Sequence, residues 1–163
     1  MRHTPFIGLA IITLHPTLLF CYNTKRVIYM YVEWKDEYSV GVAKFDESHK
    51  KLCGLINELH AGIMAGKGRD SQKNVLKGLV EYSMSHFNDE ERLMKEYGYP
   101  DRASHKHEHN EFHDRLLEFV EAYLQGSTPL SVDLLGYLVE WLERHMTVTD
   151  KKYQTFFNSK GLT

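Results

Sequence analysis

Four amphipathic stretches separated by short breakers make up most of this sequence after Asp46. Within each stretch, apolar residues recur at intervals of three and four, which places them on one face of an α-helix. The breakers, residues 66–70, 98–100 and 126–129, contain the glycine and proline that end helices. Short loops leave successive helices antiparallel. The sequence therefore predicts an all-α fold, an up-down-up-down antiparallel four-helix bundle with an N-terminal arm.

The helix boundaries follow from capping residues. We expect the first helix to span about residues 47–65 with Asp46 as its N-cap, and Ser71 to cap the second. The third helix is predicted to begin at Asp101 and the fourth at Thr128, before a proline. The predicted buried faces carry Leu52, Leu55, Ile56 and Leu59; Val75, Leu76, Leu79, Val80 and Met84; Phe112, Leu116, Leu117, Phe119 and Val120; and Leu134, Leu135, Leu138, Trp141 and Leu142.

Residues 1–29 differ from the rest of the chain. Their apolar part, residues 6–22, is interrupted by Pro16 and is shorter than the ~20 residues of a membrane-spanning helix. We interpret residues 1–29 as a leader: an over-extended start, a disordered segment or a weak targeting segment. Residues 30–163 are predicted to form one domain. A cytoplasmic location is expected, and the sequence leaves membrane association or export through the leader open.

Composition narrows the chemistry. The formal net charge of −2 provides no basic patch for nucleic acid. Cys21 and Cys53 have no metal-ligand spacing, and Cys53 is expected in the core. The chain has 10 histidines but neither a CxxC nor an HExxH motif, so the histidines point to imidazole ligands carried by helices.

Two pairs of polar residues lie one helical turn apart: His86 with Glu90, and His105 with His109. Residues four apart share one helix face. In an antiparallel hairpin, residues equidistant from the turn lie at the same height. The midpoint of Glu90 and His105 falls between residues 97 and 98, as does that of His86 and His109. These four side chains are therefore expected in one layer of the bundle.

The other two turns bring further side chains to this layer. The midpoint of His49 and His86 falls between residues 67 and 68, within the first turn. The midpoint of His109 and His145 falls at residue 127, and that of His105 and Asp150 between residues 127 and 128, within the third turn. Asp150 lies five residues after His145, which turns it about 140° beyond its partner, so it needs a bridging role or a local helix distortion. The predicted metal ligands are His49, His86, Glu90, His105, His109, His145 and Asp150.

This donor set suits a pair of metal ions. Five imidazoles, two bridging carboxylates and a bridging oxide or hydroxide fill all but one position of two octahedral ions. The absence of thiolate argues against a closed tetrahedral zinc site. Imidazole suits zinc, copper, iron and nickel, so the type of ligand alone does not select the metal. Burying these groups without metal would be costly. We interpret His60, His107 and His113 as surface or boundary residues, and the charges around Glu90, residues 89–92, as solvated.

Several motifs occur in order between about residues 31 and 157: Trp34-x-Asp36-x-Tyr38-Ser39-Val40-Gly41-Val42, Asp46-Glu47-x-His49, His86-Phe87-x-x-Glu90-Glu91-x-x-Met94, Gly98-Tyr99-Pro100, His105-x-x-x-His109-x-x-Phe112 and His145-x-x-x-x-Asp150. Together they resemble the bacterial members of the hemerythrin-like domain family. The resemblance implies two iron ions bridged by oxide or hydroxide. His105, His109 and His145 would hold one ion, His49 and His86 the other, and Glu90 and Asp150 would bridge them.

The resemblance also implies a function: reversible dioxygen binding for carriage, storage or delivery, without enzymatic turnover. A dry pocket for dioxygen would be lined by Phe87, Trp141, Leu142 and Met146. The alternatives are an oxygen or redox sensor and a di-iron oxidase or peroxidase, although oxidase sites on ferritin-like bundles use more carboxylates. Dioxygen is the expected partner, together with an unidentified protein that accepts it; no nucleic-acid or membrane partner is expected.

Overall fold

The computed structural model of the chain describes residues 31–67, 69–126 and 132–163. The predicted leader, residues 1–29, lies outside the described residues, as does the predicted start of the fourth helix at Thr128. The described part is helical and contains no β-strand. After a 3-10 turn at Asp36–Tyr38, its elements are α1 (Ala43–Met64), α2 (Arg69–Tyr97), α3 (Arg102–Leu124), α4 (Val132–Arg144), a π-helical segment (His145–Thr149) and α5 (Asp150–Ser159).

The helices form the predicted bundle. Helix α1 packs against α2 and α4, and α2 packs against α3. The fourth helix of the bundle is α4, the π-helical segment and α5 in succession. At the turn between α2 and α3, Gly98 takes φ 72° and the Tyr99 N–H donates to the Met94 carbonyl at 2.8 Å, which ends the helix and lets the chain reverse. The all-α fold class is confirmed.

The start of α1 differs from the prediction. The helix begins at Ala43, so Asp46 lies in its first turn and is not its N-cap. The Asp46 carboxylate instead accepts hydrogen bonds from Ser39 Oγ at 2.6 Å and from the Val40 N–H at 2.8 Å. The carboxylate that was expected to cap the helix therefore fastens the N-terminal arm to it. The side chain of Ser71, the other predicted N-cap, lies outside the described part of the chain.

Two hydrophobic clusters occupy opposite ends of the bundle interior. The aromatic cluster contains Val40, Val42, Phe45, Met94, Tyr99, Tyr153 and Phe157. The large cluster contains Val32, Tyr38, Leu52, Cys53, Ile56, Leu59, Val75, Leu76, Leu79, Tyr82, Phe87, Phe112, Leu116, Tyr123, Leu134, Leu135, Leu138, Trp141, Leu142 and Met146. Along each long helix, the predicted ligands fall where one cluster gives way to the other, so the polar layer lies between two apolar regions.

Two residues predicted on buried faces are exposed. Met84 is 62% exposed and Leu117 is 40% exposed. Each side chain points about 120° away from the centre of the face that carries the buried residues of its helix. No helix within the described ranges is both long enough and apolar enough to span a membrane.

Candidate metal centre

The seven predicted ligands converge in one buried layer. None of their side chains is more than 3% exposed. Their ligand atoms form two groups that could each hold a metal ion, with all atoms of a group within 4.8 Å of one another. The members of the first group are Glu90, His105, His109 and His145, and those of the second are His49, His86, Glu90 and Asp150.

Glu90 connects the two groups. Its Oε1 lies 3.5 Å from His86 Nε2, and its Oε2 lies 3.2 Å from the Nε2 atoms of both His105 and His109. The Tyr153 hydroxyl donates a hydrogen bond to Glu90 Oε1. One carboxylate oxygen thus faces each group, which is the orientation that a bridging ligand requires.

Asp150 makes the same kind of connection from the fourth helix. Its Oδ2 lies 3.1 Å from His49 Nε2, and its Oδ1 lies 3.1 Å from His145 Nε2. The π-helical segment His145–Thr149 separates His145 from Asp150. Because a π-turn pairs residues five apart, it returns Asp150 to the face that carries His145. The local helix distortion predicted from this spacing is therefore present.

The donor atoms fit cations better than they fit one another. The Nε2 atoms of His49 and His86 lie 3.1 Å apart, and those of His109 and His145 lie 3.2 Å apart. Two neutral imidazoles whose Nε2 lone pairs face each other at this distance repel. Both oxygens of Asp150 are buried without a hydrogen-bond donor. Buried hydrogen-bond acceptors normally have a partner. A cation within each group would be the partner of the facing Nε2 lone pairs and of the Asp150 oxygens.

The charges of His86 and the two carboxylates suit metal binding, whereas, against the effect of burial, Asp150 raises the pKa of His145 to about 9, so a metal would have to displace a proton from that ring. Burial lowers the pKa of His86 to about 3, against the opposing effect of Glu90, so this imidazole is neutral at physiological pH. Burial alone would raise the pKa of Glu90, but the neighbouring imidazoles, His86 foremost, hold it well below its usual value. Neutral imidazole and ionised carboxylate are the forms that ligate metals.

Aromatic rings lie flat on several of these imidazoles. Phe87 stacks on His109 at 3.8 Å and 9°, and Trp141 stacks on His145 at 4.1 Å and 18°. Leu142 and Met146, at 0% and 1% exposure, belong to the same cluster. Of the four residues predicted to line a dioxygen pocket, Phe87 and Trp141 thus contact the three-histidine side. Their role as a pocket stays a prediction.

Sequence reasoning missed Tyr82 and Tyr153. Tyr82 stacks on His86 at 5.1 Å and 22°. Tyr153, which contacts Glu90, follows Asp150 by three residues. A tyrosine one turn beyond a predicted ligand is the signal that could have found it.

Sequence reasoning also missed two acidic residues outside the layer. Glu91 was predicted to be solvated, but its side chain is 13% exposed and its Oε1 lies 3.2 Å from His109 Nδ1. Glu108 Oε2 lies 3.7 Å from His145 Nδ1, and the approach of this ring lowers the pKa of Glu108 to about 2. Glutamates are common on helix surfaces, so only Glu91, adjacent to the predicted ligand Glu90, carried a sequence signal.

The histidines interpreted as surface or boundary residues lie outside the layer. His107 is exposed, and His60 and His113 are partly buried. His60 stacks on Tyr31 at 4.5 Å. This prediction is confirmed, and the other five histidines of the described residues lie in the centre.

Fold and site together define a helical-bundle protein with a buried histidine and carboxylate centre that could hold two metal ions. The family model described as Hemerythrin HHE cation binding domain matches residues 40–157. The chain therefore belongs to the hemerythrin family, as its motifs had suggested.

Individual relatives agree with this membership. The chain is 33% identical to bacteriohemerythrin of Stenotrophomonas maltophilia (strain R551-3) over 120 residues, which is 74% of this chain and 77% of the relative. It is 32% identical to myohemerythrin of Theromyzon tessulatum over 122 residues, 75% of this chain and 90% of the relative. A crystal structure of wild-type hemerythrin matches with a TM-score of 0.72 and 28% identity, covering 77% of this chain and 96% of that one.

Proposed function

We propose that the chain holds two iron ions and binds dioxygen reversibly, for carriage, storage or delivery. The observation that carries the proposal is the division of the donors into two groups joined by both carboxylates. His105, His109 and His145 would hold one ion, and His49 and His86 the other. Iron is favoured because the donors are nitrogen and oxygen and because the relatives are hemerythrins.

The two-histidine group is where a small ligand would bind. It has one imidazole fewer than its neighbour. Glu90 and Asp150 each turn one carboxylate oxygen toward this group and the other oxygen toward the three-histidine group. An ion there would be held by four protein donors, one fewer than its neighbour, and would have room for a small ligand as well as an oxide or hydroxide bridge. Iron bound by these residues would supply the electrons that dioxygen accepts on binding and returns on leaving.

The role of the protein is to hold the donors still and keep water away. The layer is buried between the aromatic and large clusters, and Tyr153 holds Glu90 by a hydrogen bond. An apolar wall disfavours departure of reduced, charged oxygen species and so favours release of dioxygen itself. This supports binding without turnover over oxidase or peroxidase chemistry.

The test is an optical spectrum of the reduced, iron-loaded chain before air, after air and after an argon purge, combined with iron analysis. We expect two irons per chain and a visible charge-transfer band that appears with air and fades on purging. His109→Ala should abolish the band, while His107→Ala, an exposed histidine on the same helix, should preserve it. An irreversible shift to a ferric spectrum would favour a redox sensor or oxidase and would refute carriage.

A further inference from the structure

The outward-facing nitrogens of the two-histidine group have neither a hydrogen-bond partner nor a carboxylate opposite them, whereas His145 Nδ1 of the three-histidine group, which also lacks a hydrogen bond, faces Glu108. His49 Nδ1 and His86 Nδ1 are buried without a hydrogen bond to any described residue. The surroundings of His86 are aromatic: Tyr82 stacks on its ring, and Phe45 meets it edge-on at 5.9 Å. These two imidazoles are therefore oriented by packing and by the inner layer alone.

The three-histidine group is different, because carboxylates face two of its outward nitrogens. Glu91 Oε1 lies at hydrogen-bond distance, 3.2 Å, from His109 Nδ1. Glu108 Oε2 lies 3.7 Å from His145 Nδ1, an electrostatic contact longer than a hydrogen bond. A carboxylate opposite Nδ1 keeps the proton on that nitrogen, aims the Nε2 lone pair inward and makes it a stronger donor to metal.

Both carboxylates are themselves held in place. Lys106 Nζ forms an ion pair with Glu91 Oε2. Thr149 Oγ1 donates to Glu108 Oε2 at 2.9 Å, and Arg144 lies 3.5 Å from the same oxygen. The Glu91 and Glu108 side chains are 13% and 18% exposed. They are therefore fixed outer contacts of the three-histidine group, with no counterpart on the two-histidine side among the described residues.

We propose that Glu91 and Glu108 are positioning residues that make the three-histidine group the tighter of the two metal positions. The first ion then binds among His105, His109 and His145, and the ion held by His49 and His86 binds second and leaves first. This inference rests on the proposed metal centre but not on dioxygen binding. Removing an outer carboxylate partner of a ligating histidine costs metal affinity about 10–100-fold.

The experiment is an anaerobic titration of the metal-free full chain with Co²⁺ against a competing chelator, followed by the visible absorption of bound cobalt. Wild type should bind in two separate steps. His49→Ala should remove the weaker step and keep the tighter one, which assigns the steps to the two groups. A single step, or two steps of equal affinity in wild type, would overturn the proposal.

The glutamates are tested one at a time. Glu91→Gln and Glu108→Gln should each weaken the tighter step about tenfold and leave the weaker step unchanged, because only the three-histidine side loses a carboxylate. Glu111→Gln is the matched control, since Glu111 lies on the same helix as Glu108 but pairs with the exposed His107, which is not among the predicted ligands. Equal weakening of both steps would indicate general loosening of the bundle, and no weakening would leave the glutamates without the proposed role; either result contradicts the inference.

A further variant covers the case of a glutamine variant that does not fold, which circular dichroism would reveal. Lys106→Met removes the cation that holds Glu91, and its side chain is 46% exposed, so the fold should tolerate it. It should weaken the tighter step by a smaller factor than Glu91→Gln; an unchanged tighter step would contradict the role of Glu91. If cobalt binds as expected but iron gives no reversible oxygen band, the proposed function fails while this inference stands. The reverse pattern would refute the inference alone.

Discussion

The large cluster and the aromatic cluster enclose the same histidine layer but contact it in different ways. The large cluster lays flat rings on imidazoles, Phe87 on His109 and Trp141 on His145. The aromatic cluster meets the layer through ring edges and through the Tyr153 hydroxyl, which donates to Glu90. One cluster therefore orients imidazoles by stacking and excludes water, while the other fixes the Glu90 carboxylate by a hydrogen bond.

The largest effect is expected from removing a stacked ring of the large cluster. Trp141→Ala deletes an indole that is 7% exposed and lies on His145. We expect the free energy of unfolding of the metal-free chain to fall by about 3–5 kcal/mol, measured by urea denaturation. Leu124→Ala, at a position that is 69% exposed, is the control and should change it by less than ~0.5 kcal/mol. Similar small losses for both would mean that the stack does not support the layer.

The aromatic cluster is tested through its hydroxyl. Tyr153→Phe keeps the ring and removes the hydrogen bond to Glu90. Because hydrogen bonds to charged groups contribute about 1.5–3 kcal/mol, we expect the free energy of unfolding of the metal-free chain to fall by that amount. Tyr99→Phe, in the same cluster but without a hydrogen bond to the layer, should cost less. Equal losses for the two variants would erase the distinction drawn between the clusters.

The dryness of the large cluster is tested in the oxygenated protein. Leu142→Asn places an amide beside the layer, at a position that is 0% exposed. We expect the oxygenated form to decay to the diferric form about tenfold faster, which corresponds to an activation free energy lower by ~1.4 kcal/mol. The decay is measured from the change in the absorption spectrum with time. Leu138→Asn is equally buried but lies one turn further from the layer, and it should destabilise the fold with less effect on decay. If both variants decay equally fast, the effect is due to lost stability and not to water at the site.

The smallest effect concerns the Cys53 thiol, a probe within the large cluster. Burial raises the pKa of Cys53 to about 11. Since this folded-state pKa lies above that of the unfolded chain, near 9, the stabilisation is complete below pH 9 and is lost as pH rises toward 11. We expect Cys53→Ala to flatten this decline in the free energy of unfolding by about 1 kcal/mol, after allowance for solvent screening. Parallel pH profiles for the two chains would show that the thiol is more hydrated than its burial suggests.

The layer could be predicted from sequence because short turns fix the register of antiparallel helices. Once Gly98 marks the turn between α2 and α3, the equal distances of Glu90 and His105 from it follow by counting. The same counting placed His49, His145 and Asp150. Of the two possibilities that the spacing around His145 left open, the structure contains the distorted helix, and it places one Asp150 oxygen beside each group, while a bridging role stays a prediction.

The partners of individual polar side chains could not be predicted from sequence, because they depend on which neighbouring residue each side chain contacts in the folded chain. Asp46 is a residue type that commonly caps helices, but the helix already begins at Ala43. Its carboxylate therefore accepts a hydrogen bond from Ser39 of the N-terminal arm. Glu91 looked solvated because its neighbours in sequence are charged, but its oxygen faces a ring on α3. Helical periodicity fixes the height and the approximate face of a residue; it does not fix the rotamer or the partner across an interface.

The π-helical segment sets the phase of the fourth helix. By adding one residue to a turn, it rotates everything after His145 by about 100° relative to a continuous α-helix. Only with that rotation do Tyr153 and Phe157 point into the aromatic cluster. Trp141 and Leu142 precede the π-helical segment and lie in the large cluster. Val148 is 53% exposed, so the extra residue displaces nothing from the interior. With the sequence unchanged, a regular α-helix through this turn would carry Asp150 and the whole C-terminal end out of phase with the layer. Deleting the exposed Val148 would instead leave Asp150 four residues after His145, so that a regular helix would keep it in phase.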